Sequence, residues 1–424
     1  MIKKLLFFLF IFNTAFAGGY GVIKNILPNG ATILYKQTEG PGIVAGSIFI
    51  KGGSIEDPQG KKGLTHILMK MILKKSKNYS GLEINKVFED SGGGISTSTA
   101  EEFSTIEFAI KAEDFKKGLQ VIKDVIFNPV FEEDKLNQEV NNTIAQIKAK
   151  KEEGFSYAFD KLRKEIYKGT PYQYSPLGEI DDLKSITIKD LQKRLKELKN
   201  AKRFVVSIAG DLPYSEAEKY IKDVFGKLPS KNYRFPRYSV KIKGEKTKIF
   251  KREGAQSTIL VAYNAPVAVD KDYFAFKVLN SILGNGFTSR LFQELREKRG
   301  LAYAVGSFYP TRINVGNLIA YIGTAPEKTE KSLNGIREVV KSIENGVSQE
   351  EINIAKEKII GHYLLDLQTR SRQSYYIGWF ETIGLGYKMY KDYVNKIQKV
   401  SKKSVLDAYK RYIPLGNTAI VVKP

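Results

Sequence analysis

Chemistry in this chain has few places to start. It contains two histidines, His66 and His362, and no cysteine, so thiol catalysis, thiolate metal sites and a multi-histidine metal site built from this chain alone are all excluded. His66 lies in Gly63–Lys75, where Leu64, Ile67, Leu68, Met71 and Ile72 recur at the spacing of the apolar stripe of a buried amphipathic helix. The other face carries His66, Met69, Lys70 and Leu73. A helix that holds zinc through H-x-x-E-H uses two imidazoles one turn apart and a carboxylate between them as general base. Here the five residues are His66-Ile67-Leu68-Met69-Lys70. The first ligand is present, the base position is Met69, and the second ligand position is Lys70. A thioether takes no proton from water, and a protonated ammonium repels a divalent cation. His66 alone reads as a partly buried structural side chain.

The elements around this helix follow from pattern. Strands are expected over Gly21–Leu27, Ala31–Gln37 and Val44–Lys51, the first two joined by a Pro28-Asn29-Gly30 turn. A helix over Leu82–Ser91 ends in Gly92-Gly93-Gly94, a left-handed cap signal. Thr105–Ala112 alternates as a half-buried strand, helices follow at about 113–127, 132–151, 155–167 and 188–198, and Arg203–Ala209 closes the half as a strand. Residues 229–248, with two prolines and much charge, read as a linker.

The order then repeats. Ser257–Asn264 is a strand like Val44–Lys51, and Tyr273–Leu283 a helix in the place of Gly63–Lys75. Ser289–Lys298 is a further helix, Leu318–Gly323 a strand, and Lys328–Asn345 a helix. Ser348-Gln349-Glu350-Glu351 is a capping box that opens a long helix to about Leu367, and Thr418–Val422 is the last strand. The offset of a little over 210 residues indicates a duplicated α+β domain. Each copy is expected to be a largely antiparallel sheet with helices packed on one face. The boundaries are 18–228 for the first domain, 229–248 for the linker and 249–424 for the second.

A chain of 424 residues with 42% hydrophobic and 27% charged residues suits a soluble protein of two or more domains. Residues 1–17, with Lys3, Lys4, the apolar run Leu5–Phe12 and Ala15-Phe16-Ala17, read as a secretory signal peptide. The expected location is therefore exported, periplasmic or secreted, with no stable membrane insertion. The net charge of +22 can mean an anionic partner or a lysine-rich surface, and the even spread of the lysines favours the second. Nucleic acid is not an expected partner.

Further motifs carry a family resemblance. They are Gly52-Gly53-Ser54-Ile55-Glu56-Asp57 before the His66 helix, the Gly92–Gly94 run, Tyr172–Gly178, and Ser289-Arg-Leu-Phe-Gln-Glu-Leu-Arg-Glu-Lys-Arg-Gly-Leu-Ala-Tyr303. In these the mature chain resembles the insulinase (pitrilysin) family of zinc metallopeptidases, in its mitochondrial processing peptidase-like branch. The resemblance implies a third zinc ligand, a Glu on a later helix, and the stretch Glu139–Ile147 places Gln146 there. Three of the four zinc-site positions (Met69, Lys70, Gln146) are thus changed and His66 remains. It also implies that an Arg and a Tyr of the second domain reach the substrate beside the zinc, and these match Arg296 and Tyr303.

The function implied is that of a subunit without metal in a heterodimeric zinc peptidase acting on peptides. Zinc is expected in a homologous partner with an intact H-x-x-E-H site, and no cofactor in this chain. The alternative is a non-catalytic scaffold or peptide-binding homologue.

Overall fold

Residues 21–424 are described by a computed structural model; the expected signal segment, 1–17, lies outside them. The first sheet holds β1 (Ile23–Ile26), β2 (Thr32–Gln37), β3 (Ile43–Lys51), β4 (Gly94–Thr99), β5 (Phe103–Lys111) and β6 (Phe204–Gly210). The second holds β7 (Gly244–Lys251), β8 (Ser257–Asn264), β9 (Ala304–Phe308), β10 (Asn317–Thr324) and β11 (Gly416–Lys423). Their strand orders are β1-β2-β6-β3-β5-β4 and β7-β11-β8-β10-β9. Without β1 the two orders correspond strand for strand. Each has one parallel pair, β2 with β6 and β7 with β11, and is otherwise antiparallel. The duplication expected from the sequence is therefore present in the topology.

The helices of the first half are α1 (Leu64–Met71), α2 (Gly81–Glu89), α3 (Phe115–Phe127), α4 (Glu133–Glu152), α5 (Gly154–Ile166), α6 (Ile180–Lys184), α7 (Ile188–Leu198) and α8 (Tyr214–Phe225). Those of the second are α9 (Tyr273–Gly284), α10 (Thr329–Lys341), α11 (Gln349–Asp366), α12 (Arg370–Thr382), α13 (Met389–Gln398) and α14 (Lys402–Tyr412). The capping boxes at Ser80–Glu83 and Ser348–Glu351 both form, which fixes where α2 and α11 begin. Residues 229–243 carry no helix or strand, and 244–248, read from sequence as linker, already belong to β7.

The strands alternate in the faces they present, and both faces are covered. Ile48, Ile50, Ile106 and Val206 pack under the first half's own helices, whereas Phe49, Leu34 and Val205 point the other way into a cluster with Ile377 and Phe380 of α12. In the second sheet Val261, Ala320 and Val421 face α9 and α10. Leu260, Ala262, Ile420 and Val422 face Ala158, Leu162 and Ile166 of α5. Each half thus lends one helix to the other half's sheet. The close fit of α12 depends on Gly378, where a Cβ would stand 2.6 Å from the Phe49 ring, and on the 3.0 Å hydrogen bond between the Ser47 and Ser374 hydroxyls.

A buried ionic cluster ties the halves at one further point. Glu101, at the tip between β4 and β5, accepts from Arg163 of α5 at 3.0 Å and from Arg312 of the β9–β10 loop at 2.9 Å. Arg312 also donates to the Tyr167 hydroxyl at 2.8 Å. The neighbouring Glu102 accepts from the Ile313 and Asn314 amides and from the Tyr172 hydroxyl. Burial alone would raise the Glu101 carboxyl, but Arg312 and Arg163 together hold it down to about 2. Its folded value therefore lies below the ordinary 4.5, so its contribution is complete above that pH and is lost as pH falls toward 2. Glu101→Gln strands two guanidinium groups and is expected to lower the unfolding free energy at pH 7 by about 3–5 kcal/mol. Urea denaturation of the full chain measures this, and the difference from the unsubstituted protein should shrink as the pH is lowered.

Candidate functional site

The start of α1 is held by a carboxylate. Asp57 accepts from the Gly63 and Thr65 amides, both at 3.0 Å, and from the Thr65 hydroxyl. These are donors that a helix N-terminus otherwise leaves unpaired. Arg194 of α7 donates to Thr65 Oγ1 at 3.0 Å and to the Gly52 carbonyl at 2.6 Å, which locks the Gly52-Gly53 turn to the helix. Gly63 has φ 98° and meets Gly178 so closely that a Cβ on Gly178 would stand 2.1 Å from the Lys62 carbonyl. The Gly52–Asp57 and Tyr172–Gly178 motifs are therefore the mounting of this helix.

The four positions that the resemblance assigns to a zinc site differ in exposure. His66 is half-buried on the side of α1 that faces α4; burial, and then Lys70, push its imidazole down to about 4, so it is neutral at ordinary pH. Met69, read from sequence as part of the outer face, is 3% exposed and belongs to the core of the first half. Lys70 and Gln146 are exposed. Glu139 of α4 has its carboxylate taken by Lys74 at 2.6 Å. The Thr97 hydroxyl donates to the Met69 carbonyl at 2.7 Å and fixes β4, whose outer edge pairs with no strand among the described residues, beside α1. A groove of about 640 Å³ runs along this edge, with Lys70, Lys74, Leu82, Ile95 and Thr97 in its walls.

The Arg296–Tyr303 run lies in the second half. Ser289–Lys298, expected as an ordinary helix, is wound as a π-helix over Phe292–Lys298, and Leu301 closes it through its amide to the Leu295 carbonyl at 2.8 Å. Its backbone is anchored. Arg290 makes two bonds to Glu351 at 2.6 and 3.0 Å, Leu295 is buried, and the Tyr303 amide donates to the Gly323 carbonyl at 2.9 Å. The Arg296 and Tyr303 side chains take no part in that anchoring. Arg296 lies over the Phe292 ring at 5.1 Å and Tyr303 is 65% exposed, and neither side chain hydrogen-bonds to or ion-pairs with another described residue. Phe287, 75% exposed, packs edge-on against Phe292.

Residues 32–179 match the family description "Insulinase (Peptidase family M16)", and residues 185–359 match "Peptidase M16 inactive domain". The chain belongs to the insulinase family. It is 26% identical to an uncharacterized zinc protease, YmxG, of Bacillus subtilis, over 89% of this chain and 92% of that one. It is 25% identical to a non-peptidase homolog, also YmxG, of Helicobacter pylori, over 88% and 87%. Among solved structures it resembles a protease from Helicobacter pylori (TM-score 0.88, 20% identity, 95% and 99% of the two chains). It also resembles a peptidase M16 inactive domain from Pseudomonas fluorescens (TM-score 0.88, 21% identity, 95% and 98%). The fold is that of the family.

The family's metal does not fit the residues present. A lone neutral imidazole faces a cation at Lys70, a core thioether at Met69 and a neutral amide at Gln146, and no three His, Asp or Glu side chains among the described residues converge on a point. No helix of the described residues is long and apolar enough to cross a membrane. Sequence reasoning missed β4 and the Glu101–Arg163–Arg312 cluster. The adjacent acids Glu101-Glu102 after a polar stretch were the signal available.

Two outcomes follow from this geometry. The His66 imidazole should titrate near pH 4 by NMR, and Lys70→Met, by removing a neighbouring cation, should raise that value. Restoring Met69→Glu, Lys70→His and Gln146→Glu singly should give no zinc by elemental analysis. The triple variant should take up one ion per chain.

Proposed function

We propose that this chain is the subunit lacking metal in a two-chain insulinase-type zinc peptidase, and that it supplies Arg296 and Tyr303 to a partner's active site. The observation that carries this reading is the contrast between the two halves. The positions that would bind zinc are converted to a core thioether, an ammonium and an amide, while Arg296 and Tyr303 stand unpaired on an anchored backbone. A guanidinium and a phenol at fixed positions are donors suited to a peptide carbonyl and to the oxyanion that forms from it. The partner, a homologous chain with an intact H-x-x-E-H site, would supply the zinc as Lewis acid. Substrates are extended peptides bound by strand addition to the partner's sheet edge. The reading of residues 1–17 as a signal segment supports a periplasmic or secreted setting for this work.

A second reading, a peptide-binding homologue with no peptidase role, is favoured by the groove along β4 and by the relative described as a non-peptidase homolog. One experiment separates them. The two chains are purified together and assayed on unfolded peptides, with Tyr303→Phe and Arg296→Ala introduced only in this chain. The first reading expects kcat to fall by about 10²–10³ for each, the usual loss of one oxyanion donor. Unchanged turnover in both variants would refute it.

A further inference from the structure

The duplication gives the His66 region a counterpart in the second half, and that counterpart is a cavity. A shift of 211 residues (Ile67 to Val278) lays Ile67, Leu68, Met71 and Ile72 of α1 on Val278, Leu279, Ile282 and Leu283 of α9, all of them buried. The same shift puts Lys277 in the place of His66, and Asn280 and Ser281 in the places of Met69 and Lys70. Counted from the first residues of α4 and α11, His362 stands where Gln146 does. Lys277, Asn280, Ser281 and His362 line a single cavity of about 240 Å³.

Several of its polar groups have no hydrogen-bond partner among the described residues. The Lys277 ammonium lies over the rings of Tyr273 and Tyr309, at 5.3 and 5.4 Å from their centroids, and forms no hydrogen bond or ion pair with any described residue. Burial pushes its pKa down, as expected of a cation without a counter-charge. Ser281 Oγ is buried without a partner. Asn280 accepts from the Ser307 hydroxyl at 2.9 Å through its carbonyl oxygen, which leaves its amide N–H groups unused. The acid on the wall, Asp366, accepts through one oxygen, Oδ2, from the Tyr376 hydroxyl at 2.6 Å and from Arg372 at 3.2 Å. The remaining walls are aromatic, with Tyr393, Trp379 and Phe380 among them. Three free donors, one of them cationic, in an aromatic enclosure are the complement of an anion on an apolar body.

We propose that this cavity binds a small carboxylate with an aromatic or apolar body, the carboxylate resting on Lys277, Ser281 and Asn280. A free acid and the C-terminal residue of a peptide share that chemistry. The site does not depend on the reading of Arg296 and Tyr303.

Trp379 is the single tryptophan of the chain and lies in the cavity wall, so its emission reports occupancy directly. The full chain is titrated with N-acetyl-phenylalanine, with its uncharged amide, and with Ala-Ala-Phe bearing a free C-terminus. A saturable change in Trp379 emission is expected with N-acetyl-phenylalanine, at least about tenfold weaker with the amide, the loss of one charge-assisted bond. Lys277→Met should weaken binding of the acid by a similar factor while the far-ultraviolet circular dichroism stays unchanged. An equal response to Ala-Ala-Phe identifies the ligand as a peptide terminus, and a response confined to the acetylated amino acid identifies a free acid. No saturable response to either acid, or an amide that binds as well as the acid, overturns the proposal. The acid–amide comparison on the unsubstituted chain decides the matter even if Lys277→Met fails to fold.

Discussion

Two sheets whose central strands are apolar on both faces cannot be satisfied by helices on one side. β3 is buried at seven successive positions, Val44–Ile50, and β8 over its whole length. A single covered face would leave Phe49, Leu34 and Val205 in the first sheet, and Leu260 and Val422 in the second, against water. The exchange of α12 for α5 removes that exposure. It also means that the two homologous halves are not two domains on a string, because each completes the other's core. The Glu101–Arg163–Arg312 cluster adds direction to this largely apolar contact, since two guanidinium groups from different halves must converge on one carboxylate.

Within such a frame the face that the resemblance assigns to zinc carries no convergent set of ligands among the described residues. Met69 turns the base position into one more core side chain, and Lys70 and Gln146 stand in solvent. The local charge is rebalanced as well. Glu139, on the facing helix α4, is paired with Lys74, and His66 is held neutral. The mounting of the helix, through Asp57, Arg194 and the Gly63–Gly178 contact, is kept in full.

The parts legible in the sequence were those with strong local signals. The α1 stripe, the Asn29-Gly30 turn with Gly30 at φ 95°, and the capping box at Ser348 all stand where the pattern puts them. The misses have physical causes. β7 is exposed along nearly its whole length and carries three lysines, so it shows no alternation, and its first five residues read as linker. β4 is a polar edge strand, Gly-Ile-Ser-Thr-Ser-Thr. The π-helical turn at Phe292–Lys298 differs from an α-helix in its backbone bonds, which the side-chain period does not encode. Met69 is in the core because the buried face of α1 is wider than the i, i+3, i+4 stripe that the sequence shows. The Arg312 contact with Glu101 spans 211 residues and carries no local trace.

The exchange of helices also governs when this protein can become itself. α12 begins at Arg370, so a ribosome or translocation channel delivering the chain from its amino end has released more than 350 residues before the second face of β3 can be sealed. Until then an intermediate carries an oily surface on its first sheet, the kind of species that holdase chaperones retain. Pairings of such long sequence separation slow folding in general, because the chain between them must be ordered first.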